Sequence, residues 1–196
     1  MSDRTYEIVR RQGFVMDAKF FEVGLVNPAT IPGNYPVMLT QTWNLNELLG
    51  SISWLKSQNA DDRNIYIRPK GKNALTLLDD LTAETLERMR HSGFSPAVIV
   101  ETSPDNFQAW LHHGRALQKE MSLTVARALA EKFNGDPSTA DIKHFGRLVG
   151  FENRSPKHRQ PGGHYPMVRL AHATGEIYER ADEFVAEVKT SLRRAA

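Results

Sequence analysis

Two adjacent carboxylates stand at the end of an apolar run, and a third acid opens a basic stretch later in the chain. The pair is Asp79-Asp80, which follows Leu75-Thr76-Leu77-Leu78, and the third acid is Asp141, 61 residues after Asp80. An apolar strand can carry adjacent acids into a metal site at its exit, where a third acid completes an oxygen shell for Mg²⁺ or Mn²⁺. The cations that follow Asp141 suit a triphosphate. The spacing therefore predicts a phosphoryl-transfer site.

Each acid also has an ordinary structural explanation. Strands often end at Asp in turns, and Asp80 could cap a helix that begins near Thr82. Asp141 could be a capping acid in Ser138-Thr139-Ala140-Asp141. Taken alone, the acid pair favours the capping interpretation. The prediction of a metal site therefore needs support from other residues of the sequence.

The stretch from Lys143 to Arg169 is the basic face of the chain. It holds six Lys or Arg and three His against one acid, Glu152. The net charge of the whole chain is only +2, so the distribution of charge carries the argument for nucleic-acid binding. Nucleic-acid phosphates and bases have candidate partners among the cations and aromatic rings: Lys70, Lys72, Arg154 and Arg159, with Phe145, Phe151 or Tyr165.

Composition limits the architecture and the compartment. A chain of 196 residues with 40% hydrophobic content can bury one sizeable core. The absence of Cys excludes a disulfide scaffold and a thiolate zinc site. The first 14 residues carry charges throughout, and no apolar run approaches the roughly 18 residues of a membrane span. We predict a cytoplasmic protein without membrane association, built as a single domain over residues 1–196.

Hydrophobic periodicity predicts alternating strands and helices. Strands are predicted over residues 20–26, 37–42, 64–68, 74–81, 96–102, 106–112 and 166–170. Helices are predicted over 45–55, 82–90, 117–133 and about 175–194, the last with one apolar stripe. Strands 64–68 and 74–81 should form a hairpin that delivers Asp79 and Asp80 at its far end, and strands 96–102 and 106–112 a second hairpin. The fold class is α+β or mixed α/β around an at least partly antiparallel sheet.

Four motifs resemble the RepB-type DNA primases of mobilizable plasmids in order and spacing. They are Asn64-Ile65-Tyr66-Ile67-Arg68-Pro69, then Leu77-Leu78-Asp79-Asp80-Leu81, then Glu101-Thr102-Ser103-Pro104-Asp105-Asn106-Phe107-Gln108-Ala109-Trp110, then His144-Phe145-Gly146-Arg147-Leu148-Val149-Gly150-Phe151-Glu152-Asn153-Arg154. The resemblance runs roughly from Phe21 to Arg169. It implies an archaeo-eukaryotic primase core built around an RRM-like sheet packed with helices.

The resemblance also implies roles for individual residues. The catalytic, metal-binding acids would be Asp79 and Asp80, which match the first acidic motif, and Asp141, which resembles the third metal-binding carboxylate. Nucleotide phosphates would meet the basic motif, here His144, Arg147, Asn153 and Lys157. The implied cofactor is Mg²⁺ or Mn²⁺, and the implied partners are nucleoside triphosphates and a single-stranded DNA template.

The elements predicted near the end of the sequence differ from the family pattern. RepB-type primases usually append a small helix bundle that helps to start synthesis, whereas this chain stops after one predicted helix. The resemblance therefore implies a catalytic fragment, or dependence on a partner such as a helicase or a separate helix-bundle domain.

We predict a DNA primase that makes short primers in plasmid or mobile-element replication. A non-catalytic replication initiator would use the basic face for single-stranded DNA alone. A metal-dependent nuclease would share the acids but release nucleotides. A relaxase would need a nucleophilic Tyr beside a His metal cluster, and the Tyr residues have no such neighbours in sequence.

Overall fold

The computed structural model describes residues 3–28, 37–136 and 144–195. Six α-helices lie within these residues: α1 Arg4–Val15, α2 Leu45–Gly50, α3 Ile52–Ala60, α4 Ala83–His91, α5 Lys119–Phe133 and α6 Ala181–Ala195. The strands are β1 Phe21–Val26, β2 Leu39–Trp43, β3 Asn64–Pro69, β4 Leu75–Leu81, β5 Val98–Ser103, β6 Asn106–His112, β7 Gly146–Arg147 and β8 Arg169–Ala173. None of the described helices combines the length and the apolar surface that a membrane span requires.

The strands form two antiparallel sheets, and a first hydrophobic core lies between them. The first sheet has the order β2-β1-β3-β7 and the second the order β4-β6-β5-β8. Alternate residues of β1 and β3 pack with α1 to α3 and with one face of the second sheet. The other face of the second sheet packs against α4, α5 and α6 in a second core. The mixed α+β class with antiparallel pairing is therefore confirmed.

The predicted hairpin between β3 and β4 is wrong, because these strands lie in different sheets. β3 pairs with β1 and β7, whereas β4 pairs with β6. β4 places Leu75 and Leu77 in the first core and Leu78 and Leu81 in the second. A strand that is apolar on both faces belongs between two packed layers. The turn residues after β3 indicate that the chain changes direction there. They do not determine which strand forms hydrogen bonds with β3.

The other predicted elements are found with shifted ends. β5 and β6 form the second hairpin, with Ser103 opposite Asn106. The predicted helix over 45–55 is two helices, the first capped by Asn44 in a capping box with Glu47. β8 lies three residues after its predicted start, and α6 begins at Ala181. Helix α1 was not predicted.

His113 links three parts of the second core by buried hydrogen bonds. Its Nε2 lies 2.8 Å from Thr76 Oγ1 in β4, and its Nδ1 lies 3.0 Å from the Tyr178 hydroxyl. The ring is 3% exposed. Burial, with the neighbouring charges of His112 and Arg115, lowers the pKa of His113 to about 4.

Acidification is expected to destabilise the fold through His113. Because the folded pKa lies below the ordinary 6.5, the unfolded chain binds the extra proton between about pH 6.5 and pH 4. Stability contributed by the neutral ring is present above this window and lost as the pH falls through it. The loss between pH 7.5 and pH 5 should be about 2 kcal/mol. Urea unfolding at both pH values should show a smaller pH dependence in His113→Gln, and equal dependence would contradict the assignment.

Candidate active site

A cleft of about 460 Å³ brings together most of the residues predicted for catalysis and nucleotide binding. It lies where the end of β4 and the β5–β6 hairpin meet the open face of the first sheet. Six predicted residues line it: Asp79, Asp80, His144, Arg147, Asn153 and Lys157. Gly24 on β1 lets the Met38 side chain lie across the sheet, since a Cβ at Gly24 would come within 2.6 Å of Met38 Sδ. Met38 and Tyr66 form part of the remaining wall.

An irregularity in β4 lets two neighbouring acids line the same cleft. Adjacent residues of a regular strand point to opposite faces of the sheet. The β4–β6 register shifts between Leu78 and Leu81, and Asp80 adopts a left-handed backbone with φ of 54°. Asp tolerates this conformation better than most residues. Helix α4 is capped by Thr82, whose side chain accepts from the Thr85 N–H, so the capping interpretation of Asp80 is wrong.

Hydrogen bonds hold both carboxylates in place. Asp79 Oδ2 accepts from Gln108 Nε2 at 2.9 Å and lies 3.5 Å from His144 Nε2. Asp79 Oδ1 accepts from the Asp80 N–H at 2.8 Å, and Asp80 Oδ1 accepts from Asn106 Nδ2 at 3.0 Å. Burial favours a raised pKa for Asp79, but the bonds from His144, Gln108 and the Asp80 N–H outweigh it, so the pKa lies below 3.8. Asp79 is therefore an anion at neutral pH.

Gln108 couples the acid pair to the basic side of the cleft. Its Nε2 holds Asp79 on the second sheet, and its Oε1 accepts from the Arg147 N–H of the first sheet at 2.7 Å. The residue is 3% exposed. Sequence reasoning gave Gln108 no role. The available signal was an amide beside the apolar run Ala109-Trp110-Leu111 of a strand, since a buried amide needs partners.

Replacing Gln108 is expected to slow catalysis more than it weakens substrate binding. Gln108→Leu removes the donor to Asp79 and leaves the Arg147 N–H unsatisfied, whereas Gln108→Glu keeps the shape and an acceptor. We expect roughly 10- to 100-fold lower kcat in Gln108→Leu, with a smaller change in KM, because the acid loses its orientation. Steady-state incorporation of nucleotides, the reaction that the predicted resemblance implies, measures both constants. A loss confined to KM would contradict a positioning role.

The Arg147 guanidinium uses only part of its hydrogen-bonding capacity within the described residues. Its guanidinium lies over the Tyr66 ring at 4.4 Å, and Nη2 donates to Ser155 Oγ at 3.2 Å. Nη1 is buried and has no hydrogen-bond partner among the described residues. Burial is the main cause that lowers the pKa of Arg147 and raises that of Tyr66. Unsatisfied donors of a guanidinium suit a phosphate oxygen.

Asn153 and Lys157 occupy different environments within the cleft. Asn153 is 2% exposed, its Nδ2 donates to the Thr102 carbonyl at 2.8 Å, and its Oδ1 accepts from the Ser155 N–H. Its amide therefore stabilises the conformation of the loop that contains Ser155. Lys157 is exposed on a 3₁₀ turn, Pro156–His158. His158, which was not predicted as a site residue, also lines the cleft.

The four predicted DNA-binding cations lie outside the cleft. Lys70 Nζ donates to Thr42 Oγ1 at 2.8 Å and lies 3.7 Å from Glu22. Lys72 lines a second cavity, and Arg159 is exposed. Arg154 lies 2.9 Å from Glu152 and 3.4 Å from Asp62. These acids balance much of the Arg154 charge, which makes it the weakest of the four candidates.

Asp141 lies outside the described residues, so its convergence with the pair stays a prediction. The described residues on both sides of segment 137–143 contact Asp79. The Asp136 N–H donates to the Asp79 carbonyl at 3.2 Å, and His144 lies against its carboxylate. In the described ranges, no three His, Asp or Glu side chains converge as metal ligands. Two anchored carboxylates in one cleft nevertheless fit part of the oxygen shell of a hard divalent cation.

The two-sheet fold is similar to that of an archaeo-eukaryotic primase domain. The cyanophage S-2L primase-polymerase domain of this type has a TM-score of 0.67 with 12% identity, covering 94% of this chain and 97% of that chain. The profile of the family described as RepB DNA-primase N-terminal domain matches residues 32–195. The chain belongs to this family, and the predicted resemblance is confirmed.

Two solved structures and two curated protein sequences support the assignment to this family. Primase RepB′ has a TM-score of 0.90 and 33% identity, covering 98% of this chain and 64% of that chain. The catalytic domain of RepB′, solved in complex with initiator DNA, has a TM-score of 0.88 and 33% identity, covering 98% and 97%. Mobilization protein A of Escherichia coli is 35% identical over 196 residues, which are 99% of this chain and 27% of that protein. A DNA primase of Acidithiobacillus ferrooxidans is 34% identical over 137 residues, 68% of this chain and 39% of that protein. The chain thus spans well under half of these two curated relatives.

Proposed function

We propose that this chain synthesises primers on single-stranded DNA by metal-dependent nucleotidyl transfer, in plasmid or mobile-element replication. The observation that carries the proposal is one cleft that holds two anchored carboxylates, Asp79 and Asp80, together with the Arg147 guanidinium, whose positive charge has no carboxylate partner among the described residues. Carboxylates of this kind suit divalent cations, and a guanidinium suits a polyphosphate. Membership of a primase family supports the same chemistry.

The proposed reaction joins two nucleotides. The 3′-hydroxyl of one loses its proton to solvent, and its oxygen forms a bond to the α-phosphorus of the other. The bond between this phosphorus and the oxygen that bridges to the β-phosphate breaks, and pyrophosphate leaves. Asp79, Asp80 and Asp141 would hold Mg²⁺ or Mn²⁺, which when bound supplies charge stabilisation for the attacking and leaving oxygens. Contacts of Asp136 and His144 with Asp79 support the inclusion of Asp141.

The remaining side chains bind and orient the substrates. Arg147 would hold triphosphate oxygens with its guanidinium, and Lys157 and His144 would add contacts from the same cleft. Gln108 would keep Asp79 aligned with Arg147. The protein thus contributes positioning and electrostatics, with little covalent chemistry of its own. Initiation in the cell is proposed to use a helicase or a separate helix-bundle domain as partner.

A primer-synthesis assay tests the proposal. The purified chain is incubated with labelled ribo- or deoxynucleoside triphosphates, single-stranded DNA and Mg²⁺ or Mn²⁺. The proposal predicts short labelled products that require both template and metal and vanish with a chelator. DNA binding without incorporation would indicate a non-catalytic initiator. Shortened template with no labelled product would indicate a nuclease.

Template binding is expected to be salt-sensitive and stronger for single strands. Four phosphate contacts would give a slope of log affinity against log salt of roughly −3 on a single strand. Charge reversal at Lys70 and Arg159, two exposed members of the predicted DNA-binding set, should reduce the slope to about −1.5. A matched control reverses Arg127 and Lys189, exposed on α5 and α6 and outside the cavities described here. Stronger duplex binding, or equal slopes for the two double variants, would move the template path elsewhere.

A further inference from the structure

The strand that carries Arg147 lies at the edge of the first sheet. β7 contains only Gly146–Arg147, pairs with β3 on one side and is the last strand in the order of that sheet. Arg147 and Val149 are 9% and 0% exposed. Buried backbone groups need hydrogen-bond partners in place of water. The outer side of β7 therefore depends on groups that do not belong to a strand of the first sheet.

Two glutamine side chains supply these partners. Gln108 Oε1 accepts from the Arg147 N–H at 2.7 Å. Gln12 Nε2 donates to the Arg147 carbonyl at 3.1 Å, and Gln12 Oε1 accepts from the Val149 N–H at 3.1 Å. A residue of a parallel strand likewise donates to one residue of its neighbour and accepts from the residue two positions further on. The Gln12 amide thus takes the place of a strand beside β7.

Helix α1 holds the Gln12 side chain inside the protein. Gln12 is 0% exposed, and Val9 of the same helix packs in the first core. Gly150 has a φ of 86°, and a Cβ there would come within 2.9 Å of Thr5 Cγ2 in α1. The segment after β7 therefore lies directly against the helix that carries Gln12. Because both the donor and the acceptor end of the Gln12 amide are bonded, its orientation is determined.

The backbone bonds of Arg147 determine where its guanidinium lies. Gln108 holds the N–H and Gln12 holds the carbonyl, so the Cα between them is fixed from both sides. From this Cα the side chain crosses the Tyr66 ring at 4.4 Å and lines the cleft. A binding side chain works best when supporting residues lock its position. Gln12 does not line the cleft itself, so we expect its effect on a ligand to pass through Arg147.

We propose that Gln12 is a positioning residue for nucleotide binding, because it fixes the backbone from which the Arg147 guanidinium reaches the triphosphate. The inference rests on the proposed function, in which Arg147 binds a nucleoside triphosphate. Gln108 also holds Asp79, whereas neither hydrogen bond of the Gln12 amide involves an acid. Loss of the Gln12 amide should therefore raise KM and leave kcat nearly unchanged, in contrast to loss of Gln108.

Nucleotide affinity tests this role without requiring synthesis. The probe is an α,β-methylene nucleoside triphosphate, which cannot release pyrophosphate, titrated into the full chain by calorimetry with Mg²⁺. Gln12→Leu has a similar size but makes neither hydrogen bond, and its Kd should rise about 10-fold. The control Tyr178→Phe removes another buried hydrogen-bonding group, the partner of His113 in the second core. Its Kd should stay within about 2-fold of wild type. An unchanged Kd in Gln12→Leu, or an equal rise in both variants, would overturn the assignment.

A second variant, Gln12→Glu, carries a group whose hydrogen bonds depend on protonation. The acid form can donate to the Arg147 carbonyl and accept from the Val149 N–H, whereas the carboxylate can only accept. Relative to wild type at the same pH, its Kd should lie within about 2-fold at pH 5.5 and be about 10-fold higher at pH 9. A ratio that does not change with pH contradicts the role of Gln12, also where Gln12→Leu does not fold.

A double-mutant cycle shows whether Gln12 acts through Arg147. Arg147→Ala removes the side chain that Gln12 is proposed to position. In that background Gln12→Leu should change the Kd by less than about 2-fold, compared with about 10-fold in the wild-type background. The same factor in both backgrounds would show that Gln12 acts by another route, and the assignment would be wrong.

Primer synthesis separates this inference from the proposed function. Primers made by wild type, together with an unchanged Kd in Gln12→Leu, overturn the role of Gln12 and leave the proposed function standing. Weaker analogue binding in Gln12→Leu, with no primer made by wild type, contradicts the proposed function and supports the role of Gln12.

Discussion

Asp80→Asn is expected to reduce nucleotide incorporation by roughly 10³-fold or more, because it removes a charge from the proposed metal site. The substitution is isosteric. Asn also tolerates the left-handed backbone found at Asp80, where φ is 54°. Template affinity should stay close to that of wild type, since backbone binding and metal chemistry use different groups. Incorporation on a primed single-stranded template measures the loss.

The chain offers a matched control for this substitution. Asp105 in the β5–β6 turn also has a left-handed backbone, with φ of 59°, and is exposed. Asp105→Asn removes the same charge from the same backbone geometry but lies outside the lining of the cleft. It should keep nearly full activity. Equal activity of the two variants would remove Asp80 from the catalytic site.

Arg147→Lys is expected to raise the KM for nucleoside triphosphate by about 10- to 100-fold. The substitution retains a positive charge but loses the planar fork that lies over Tyr66 and donates from Nη2 to Ser155. A charged hydrogen bond of this kind contributes about 1.5–3 kcal/mol. Steady-state incorporation at limiting nucleotide gives the measurement.

Arg154→Lys serves as the control for Arg147→Lys. Arg154 also lies over an aromatic ring, Tyr165 at 5.2 Å, and is held by Glu152 and Asp62, but it lies outside the cleft. Its substitution should leave KM for nucleotide within about 2-fold of wild type. Unchanged KM in Arg147→Lys would show that another cation binds the triphosphate.

The positions of the cleft residues were more predictable from sequence than their arrangement. The charges of Asp79, Asp80 and Arg147 stand out beside apolar runs, and the resemblance to RepB-type primases supplied their roles in the site. The bulge that turns both acids into one cleft depends on pairing between β4 and β6, which no local pattern encodes. Gln108 was missed for a related reason, because its two partners, Asp79 and the Arg147 backbone, lie on different sheets.

The same distinction between local and long-range information explains the fold. Caps such as Asn44 and Thr82 are local signals, and both begin helices as their sequences indicate. The prediction of a β3–β4 hairpin was wrong because a short loop between two strands favours a hairpin but does not determine which strands pair. β3 pairs with β1 and β7, and β4 pairs with β6. Helix α1 was missed because its buried positions Val9, Gln12 and Gly13 give a weak apolar stripe.

Manganese binding tests the central claim most directly, that the acid pair is a divalent-metal site for nucleotidyl transfer. Electron paramagnetic resonance can count bound Mn²⁺ in wild type, Asp80→Asn and Asp105→Asn, each with an α,β-methylene nucleoside triphosphate. We predict Mn²⁺ bound to wild type and to Asp105→Asn, with affinity at least about 10-fold weaker in Asp80→Asn. Equal Mn²⁺ affinity in all three proteins would contradict a metal site at Asp79 and Asp80.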